Sequence, residues 1–165
     1  MISISTFLYG NLRFLLVLLF AHPTLALVNY LTISSGTIAI KPNSELYVRH
    51  NIVNRGTVVM EGELRVSDNL RNQQTWQGET CTLFLTDTDQ TVTSPSLNIG
   101  SLVVQGGGIK LLAGDLTVNQ LFTLESGIVR TNWSLLVAFG AQIIGGSPQS
   151  YVDGFLYHTG TGSKF

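Results

Sequence analysis

Two carboxylates stand close together in this chain, Asp87 and Asp89 in LTDTDQ. A pair of this kind is what general acid–base cleavage of a glycosidic bond uses, and with further oxygens it is what Ca²⁺ binds. The i, i+2 spacing puts both on one side of an extended segment. No Lys, Arg or His lies near them in the sequence. The segment therefore reads first as a solvated turn, with a Ca²⁺ site or a catalytic dyad as weaker candidates. No cofactor is expected, and the nonapeptide GGxGxDxUx of Ca²⁺-binding solenoids is absent.

Other chemistry-bearing residues are scattered. His50 and His158 are more than a hundred residues apart, without metal-ligand spacing, and His22 lies in the apolar N-terminal segment. The run Gly106–Gly107–Gly108 lacks the Lys and the helix of a phosphate-binding loop and reads as a tight corner. Asn132–Trp133–Ser134 has the form of an N-glycosylation sequon, but an ordinary turn is the plainer reading. Trp76, Trp133 and Tyr47 could stack on sugar rings if they point outward. The lone Cys81, in CTLFL, can form no internal disulfide and reads as a small buried hydrophobe.

Residues 1–26 differ from the rest. MISISTFLYGNLR carries one cation, Arg13, and precedes the apolar FLLVLLFA and the small-residue exit HPTLA. This is the layout of a signal peptide cleaved after Ala26, with an apolar run too short to span a bilayer core of ~30 Å. Export is thus expected, with a secreted or cell-surface location. Cleavage would take Arg13 and leave eight basic against ten acidic side chains. Nucleic acid is not an expected partner at that balance.

The elements that must position these residues are short. Apolar–any–apolar triplets run from residue 31 onward: LTI, IAI, LYV, LRV, LFL, LNI, LVV, LTV, FTL and LLV. Each has the period of a strand with one buried face. Gly, Asn, Ser and Asp fill the gaps, as turn residues do. A leading apolar residue recurs about every six to seven positions, so three strand-plus-turn units make a coil of about 18–20 residues. The chain also repeats itself at that distance. SELYVRHNIVNRGTV, from Ser44, returns eighteen residues later as GELRVSDNLRNQQTW.

Aligning the two phrases superposes Glu45 on Glu63, Leu46 on Leu64, Val48 on Val66, Asn51 on Asn69, and Asn54 on Asn72. These are expected stacking positions: leucines and valines inward, asparagines bonded in ladders along the axis, and the like-charged glutamates outward. Trp76 stands where the first phrase has Val58, an apolar exchange that points to the core. Leu83, Leu102 and Leu121 extend the Leu46–Leu64 series. The expected fold is all-β, a right-handed parallel β-helix or β-solenoid over 27–150. Residues 151–165 would form a terminal hairpin turning at Asp153–Gly154, or an incomplete coil. An antiparallel β-sandwich is the alternative, although its strands and spacings are normally longer.

Residues 28–165 also carry a resemblance. LTISSGTIAIKPNSELYVRHNIVNRGTV, the ordered series from CTLFLTDTDQTV to LESGIVRT, and SYVDGFLYHTGTGSKF are together similar to repeat modules of large exported proteins of Bacteroidota-type bacteria. Those proteins are associated with type IX secretion. The FPVG that follows SYVDG in such modules is not present here, nor is their sorting domain, so the expectation is a module truncated at its C-terminus. The resemblance implies a β-solenoid stalk at a surface and transfers no catalytic residue. The expected function is a non-catalytic, structural or adhesin-like module, with surface polysaccharide or matrix as the partner class it would meet. A fragment of a carbohydrate-active β-helix enzyme and a carbohydrate-binding β-sandwich are the other readings.

Overall fold

The computed structural model describes residues 25–159. Residues 1–24 of the expected leader and residues 160–165 lie outside the described part, whereas Leu25 and Ala26 belong to the first strand. The chain folds as a parallel β-solenoid of about seven turns, with coils of about 20 residues. Three strand stacks, here called faces A, B and C, run along the axis.

Face A begins with β1 (Leu25–Val28), β4 (Glu45–Val48) and β7 (Glu63–Val66). Face B begins with β2 (Leu31–Ile33), β5 (Ile52–Asn54) and β8 (Leu70–Asn72). Face C begins with β3 (Thr37–Ile40) and β6 (Thr57–Met60). From the third coil the strands run on around corners. They are β9 (Thr75–Leu85), β10 (Gln90–Val104), β11 (Ile109–Leu124) and β12 (Ile128–Val137). β13 (Gln142–Gly145) and β14 (Val152–His158) form the last coil.

Every pairing between these strands is parallel, at a sequence separation of one coil. This removes the antiparallel sandwich. The one antiparallel bridge outside the named strands, Ser147 with Ser150, closes a turn. Asp153–Gly154 is not a hairpin turn either. It lies inside β14, which runs parallel to β12, so the described part of the C-terminal segment is a coil.

The core is made by inward residues lying over one another. Leu46 pairs with Leu64, Leu64 with Leu83, and Leu83 with Leu102; Val48 pairs with Val66, and Val66 with Leu85. All are buried, and burying a side chain of this size contributes about 1.5–3 kcal/mol. The Leu102 partner is Phe122, not Leu121. β10 and β11 shift register between Ile99 and Ser101, and the coil lengthens by one residue there. Leu121 consequently sits opposite Ser101 and points away from the ladder. On face C the ladder Ile38–Val58–Trp76 places the indole half-buried against the core.

Candidate functional site

The corner between faces A and B gathers most of the unusual chemistry. In the fourth coil it carries Asp87 and Asp89, and both are held in the turn. Asp87 Oδ1 accepts from the Thr88 amide at 2.8 Å, and Asp89 Oδ1 accepts from the Ile109 amide one coil on, also at 2.8 Å. Their expected lack of a basic neighbour does not survive stacking. Lys110 belongs to the next coil, and its side chain points inward under the same turn. The Lys110 Nζ donates to the carbonyls of Asp87, Thr88 and Gly107, the last two at 2.8 Å.

Lys110 is fully buried. Burial pushes its ammonium below the ordinary lysine range, while the nearby Asp87 and Asp89 charges pull the other way. The Gly106–Gly107–Gly108 run, with all three residues at positive φ, wraps this ammonium and lies directly over the Asp87–Asp89 turn. The position below Lys110 in register is Gln90. Its Nε2 donates to the carbonyls of Val66 at 2.8 Å and Asp68 at 2.9 Å. Its Oε1 accepts from the Asp87 amide at 3.1 Å. Gln90 and Lys110 are thus internal plugs for the same corner in successive coils. Among the described residues no three His, Cys, Asp or Glu side chains gather to hold a metal ion.

Lys110 escapes local reading because two of its three partners, Thr88 and Asp87, lie 22 and 23 residues earlier. One signal was available: Lys110 shares its alternation with Leu112, which is buried, so strand parity alone directs it inward.

The other corner of face B holds Asn54 and Asn72. Asn54 Nδ2 donates to Asn72 Oδ1 at 2.7 Å and to the Thr75 carbonyl at 3.1 Å. Asn54 Oδ1 accepts from the Gly56 amide, and Asn72 Nδ2 donates to Ser94 Oγ at 3.1 Å. Ser94 Oγ then donates to the Ser96 carbonyl at 2.8 Å. A second ladder lies nearer solvent. Asn69 Nδ2 donates to Asn51 Oδ1 at 3.1 Å, and Asn69 Oδ1 accepts from the Thr91 amide at 2.7 Å.

On face A, Glu45 and Glu63 are stacked neighbours and point outward. Their repulsion is offset by Arg65, which donates to Glu45 at 2.6 Å and to Glu63 at 3.3 Å. The same guanidinium lies 3.8 Å above the Phe84 ring.

The remaining candidates are dispersed. His50 stacks on Tyr30 with ring centroids 4.6 Å apart at the second coil, and His158 Nε2 lies 3.3 Å from the Ala141 carbonyl at the last. His22 is outside the described residues. Tyr47 is half-buried, with its hydroxyl 2.8 Å from Ser67 Oγ. Trp133 is exposed, and the neighbouring Ser134 hydroxyl is bonded to Asp115 at 2.6 Å. Cys81 is fully buried beside Gly78, where an added Cβ would meet both its sulfur and the Trp76 ring nitrogen.

Burial pushes the Cys81 thiol up to about 12, outweighing backbone hydrogen bonds that lower it. Between the ordinary thiol value near 9 and about 12, the unfolded chain releases a proton that the folded chain keeps. Stability is therefore level below that window and falls as pH rises through it. Iodoacetamide at pH 8 is expected to modify native Cys81 at least about 100-fold more slowly than the urea-unfolded chain. The melting temperature should also fall more steeply between pH 9 and 11 in the parent than in Cys81→Ala. Equal alkylation rates in the two states would show an accessible thiol.

No protein-family model, no curated protein and no solved structure matches this chain, and the assignment of the β-solenoid rests on its strand register.

Proposed function

We propose that this chain is a non-catalytic structural module that acts as a rigid spacer or adhesive stalk outside a bacterial cell. The observation that carries the reading is where its polar groups go. Asn54–Asn72–Ser94, Gln105–Glu125, Asn98–Asn119, Asp115–Ser134 and Arg130–Asp153 each join one coil to the next. The carboxylates a carbohydrate-cleaving reaction would draw on are also engaged: Asp87 holds its own turn, and Asp89 joins that turn to the next coil. About seven coils at ~4.8 Å each give a rod of roughly 34 Å along the axis. The apolar segment ending near residue 26 supplies the route out of the cytoplasm in this reading.

The test is antibody labelling of intact cells of the native source, with cell fractionation alongside. Labelling before permeabilisation is expected. Signal confined to the cytosolic fraction would overturn the surface assignment, and hydrolysis of a polysaccharide panel by the purified chain would overturn the non-catalytic one.

A further inference from the structure

The cations of this protein divide into two groups. Lys41 pairs with Glu61, Arg65 with Glu45 and Glu63, and Arg130 with Asp153, while Lys110 is consumed inside the corner. Among the described residues, that leaves Arg49, Arg55 and Arg71 as exposed cations with no carboxylate partner. All three lie on face B or its flanking corners in the second and third coils. Arg49 precedes β5, Arg55 follows it, and Arg71 is in β8, in register with Val53. The guanidinium of Arg55 bonds only Gln73, at 3.1 Å. Asp68 is the one carboxylate on this side of the two coils, and it accepts from Asn69 at 2.7 Å.

Of the three, Arg71 lines a shallow groove of about 390 Å³, together with Asn51, Val53, Asn69, Thr91 and Thr93, while Arg49 and Arg55 lie in the chain on either side of β5, which crosses the groove floor. That floor is a parallel sheet whose backbone groups are already paired, so recognition falls to side chains. Asn51 uses its oxygen in the ladder, which leaves its amide N–H groups facing outward, and the Thr91 and Thr93 hydroxyls join no described hydrogen bond. At the corner next to Asn51, Tyr30 is 64% exposed and rests on His50.

We propose that this groove binds a linear acidic polysaccharide, with its uronate carboxylates on Arg49, Arg55 and Arg71. A guanidinium fork matches a planar carboxylate bidentately. The outward amide and the two hydroxyls suit ring hydroxyls, and the exposed Tyr30 offers an aromatic surface to one sugar ring. A strand rises about 3.3 Å per residue and coils are ~4.8 Å apart, so Arg55 and Arg71 lie roughly 8 Å apart at their Cα atoms. A flexible glycan chain bridges such a distance with neighbouring carboxylates. Nucleic acid fits the site less well, because the outward positions of face B here are Thr32, Val53, Arg71 and Thr93, with no row of aromatics on which bases could stack.

The experiment is calorimetric titration of the full chain with polygalacturonate oligomers, neutral dextran and a single-stranded oligonucleotide. Polygalacturonate should bind, more weakly as salt rises, and dextran should not. Arg71→Gln should lower that affinity about tenfold, and the Arg49→Gln, Arg71→Gln double variant should lower it further. Arg130→Gln, on the same face but already ion-paired, should leave it unchanged, with all melting temperatures close to the parent. Four outcomes overturn the proposal: no binding of polygalacturonate, equal binding of dextran, tighter binding of the oligonucleotide, or an Arg130→Gln loss matching that of Arg71→Gln. The site stands apart from the surface reading, since cytosolic labelling with intact polygalacturonate binding would remove the location and leave the groove.

Discussion

Replacing Asn72 by leucine is expected to cost about 2–3 kcal/mol of folding stability, although leucine is apolar and nearly the same size. Asn72 is 2% exposed and stands in the middle of a hydrogen-bonded series that begins at the fully buried Asn54. Removing its amide leaves one Asn54 N–H without an acceptor, since the other is already used by the Thr75 carbonyl. Ser94 Oγ loses its donor as well. A buried donor stripped of its partner bears its full desolvation penalty, which exceeds what the added methyl groups recover. The check is a urea titration read as a shift in midpoint at constant slope. Ser94→Ala in the Asn72→Leu background should then cost about 1 kcal/mol less than it does in the parent. Strictly additive losses would mean that the two residues act independently and that the series is not a cooperative unit.

Gly114→Ala is expected to be more damaging, at about 3–5 kcal/mol, enough to abolish folding in a marginal domain. Gly114 lies where β11 turns from face B to face C, with φ of 146°, a backbone state almost confined to glycine. It also sits directly over Ser94, and an added Cβ would run into the Ser94 carbonyl oxygen. That oxygen is backbone in the coil below, so it cannot swing aside as a side-chain tip could. Gly140→Ala separates the two causes. Gly140 has φ of 82°, and nothing lies within 4 Å of an added Cβ. It should therefore lose only the conformational part, about 1 kcal/mol. Comparable midpoints for the two variants would show that the close approach of the coils is unimportant.

The contrast between these positions explains how much could be read from the sequence. Leu46 and Leu64, or Asn54 and Asn72, are legible because the second coil keeps one offset of 18 residues to the third on all three faces, with the same residue at the same place. Their relation is an identity at a fixed offset. From the third coil on, the offset varies, from 19 at Leu64–Leu83 to 22 at Leu70–Val92, and identity fails where geometry persists. Phe122 takes the place assigned to Leu121 because one residue is added at the preceding corner. Lys110 and its carbonyl partners share no residue type at all, so no self-comparison of the chain could join them. Arg65 stands in plain view two residues from Glu63, yet only the stacking of Glu63 on Glu45 brings it diagonally to Glu45 as the bridge between two like charges. The groove is hidden for the same reason: Arg71 meets Val53 and Thr93 only through stacking, and the lack of carboxylate partners at Arg49, Arg55 and Arg71 is visible only once the other cations are placed.

The pair of internal corner plugs has a further consequence. A column of leucines and valines is indifferent to which coil lies on which, because any apolar rung covers any other. Such a chain could fold one rung out of step and still bury most of its interior. Gln90 and Lys110 remove that freedom. Lys110 is matched through its Nζ to three carbonyls, two of them in the turn at Asp87 and Thr88. Gln90 both donates to the turn below and accepts from the Asp87 amide. Displaced by one coil, the ammonium would meet the corner at Val66–Asp68 that an uncharged amide fills, and its own turn would close over the apolar Val129, its register partner in the next coil. A buried polar group is thus tolerated because the misaligned alternatives leave it unmatched, much as a single buried asparagine sets the alignment of a coiled coil. Two unlike side chains at equivalent positions act as an address within an otherwise repetitive stack: they count the rungs.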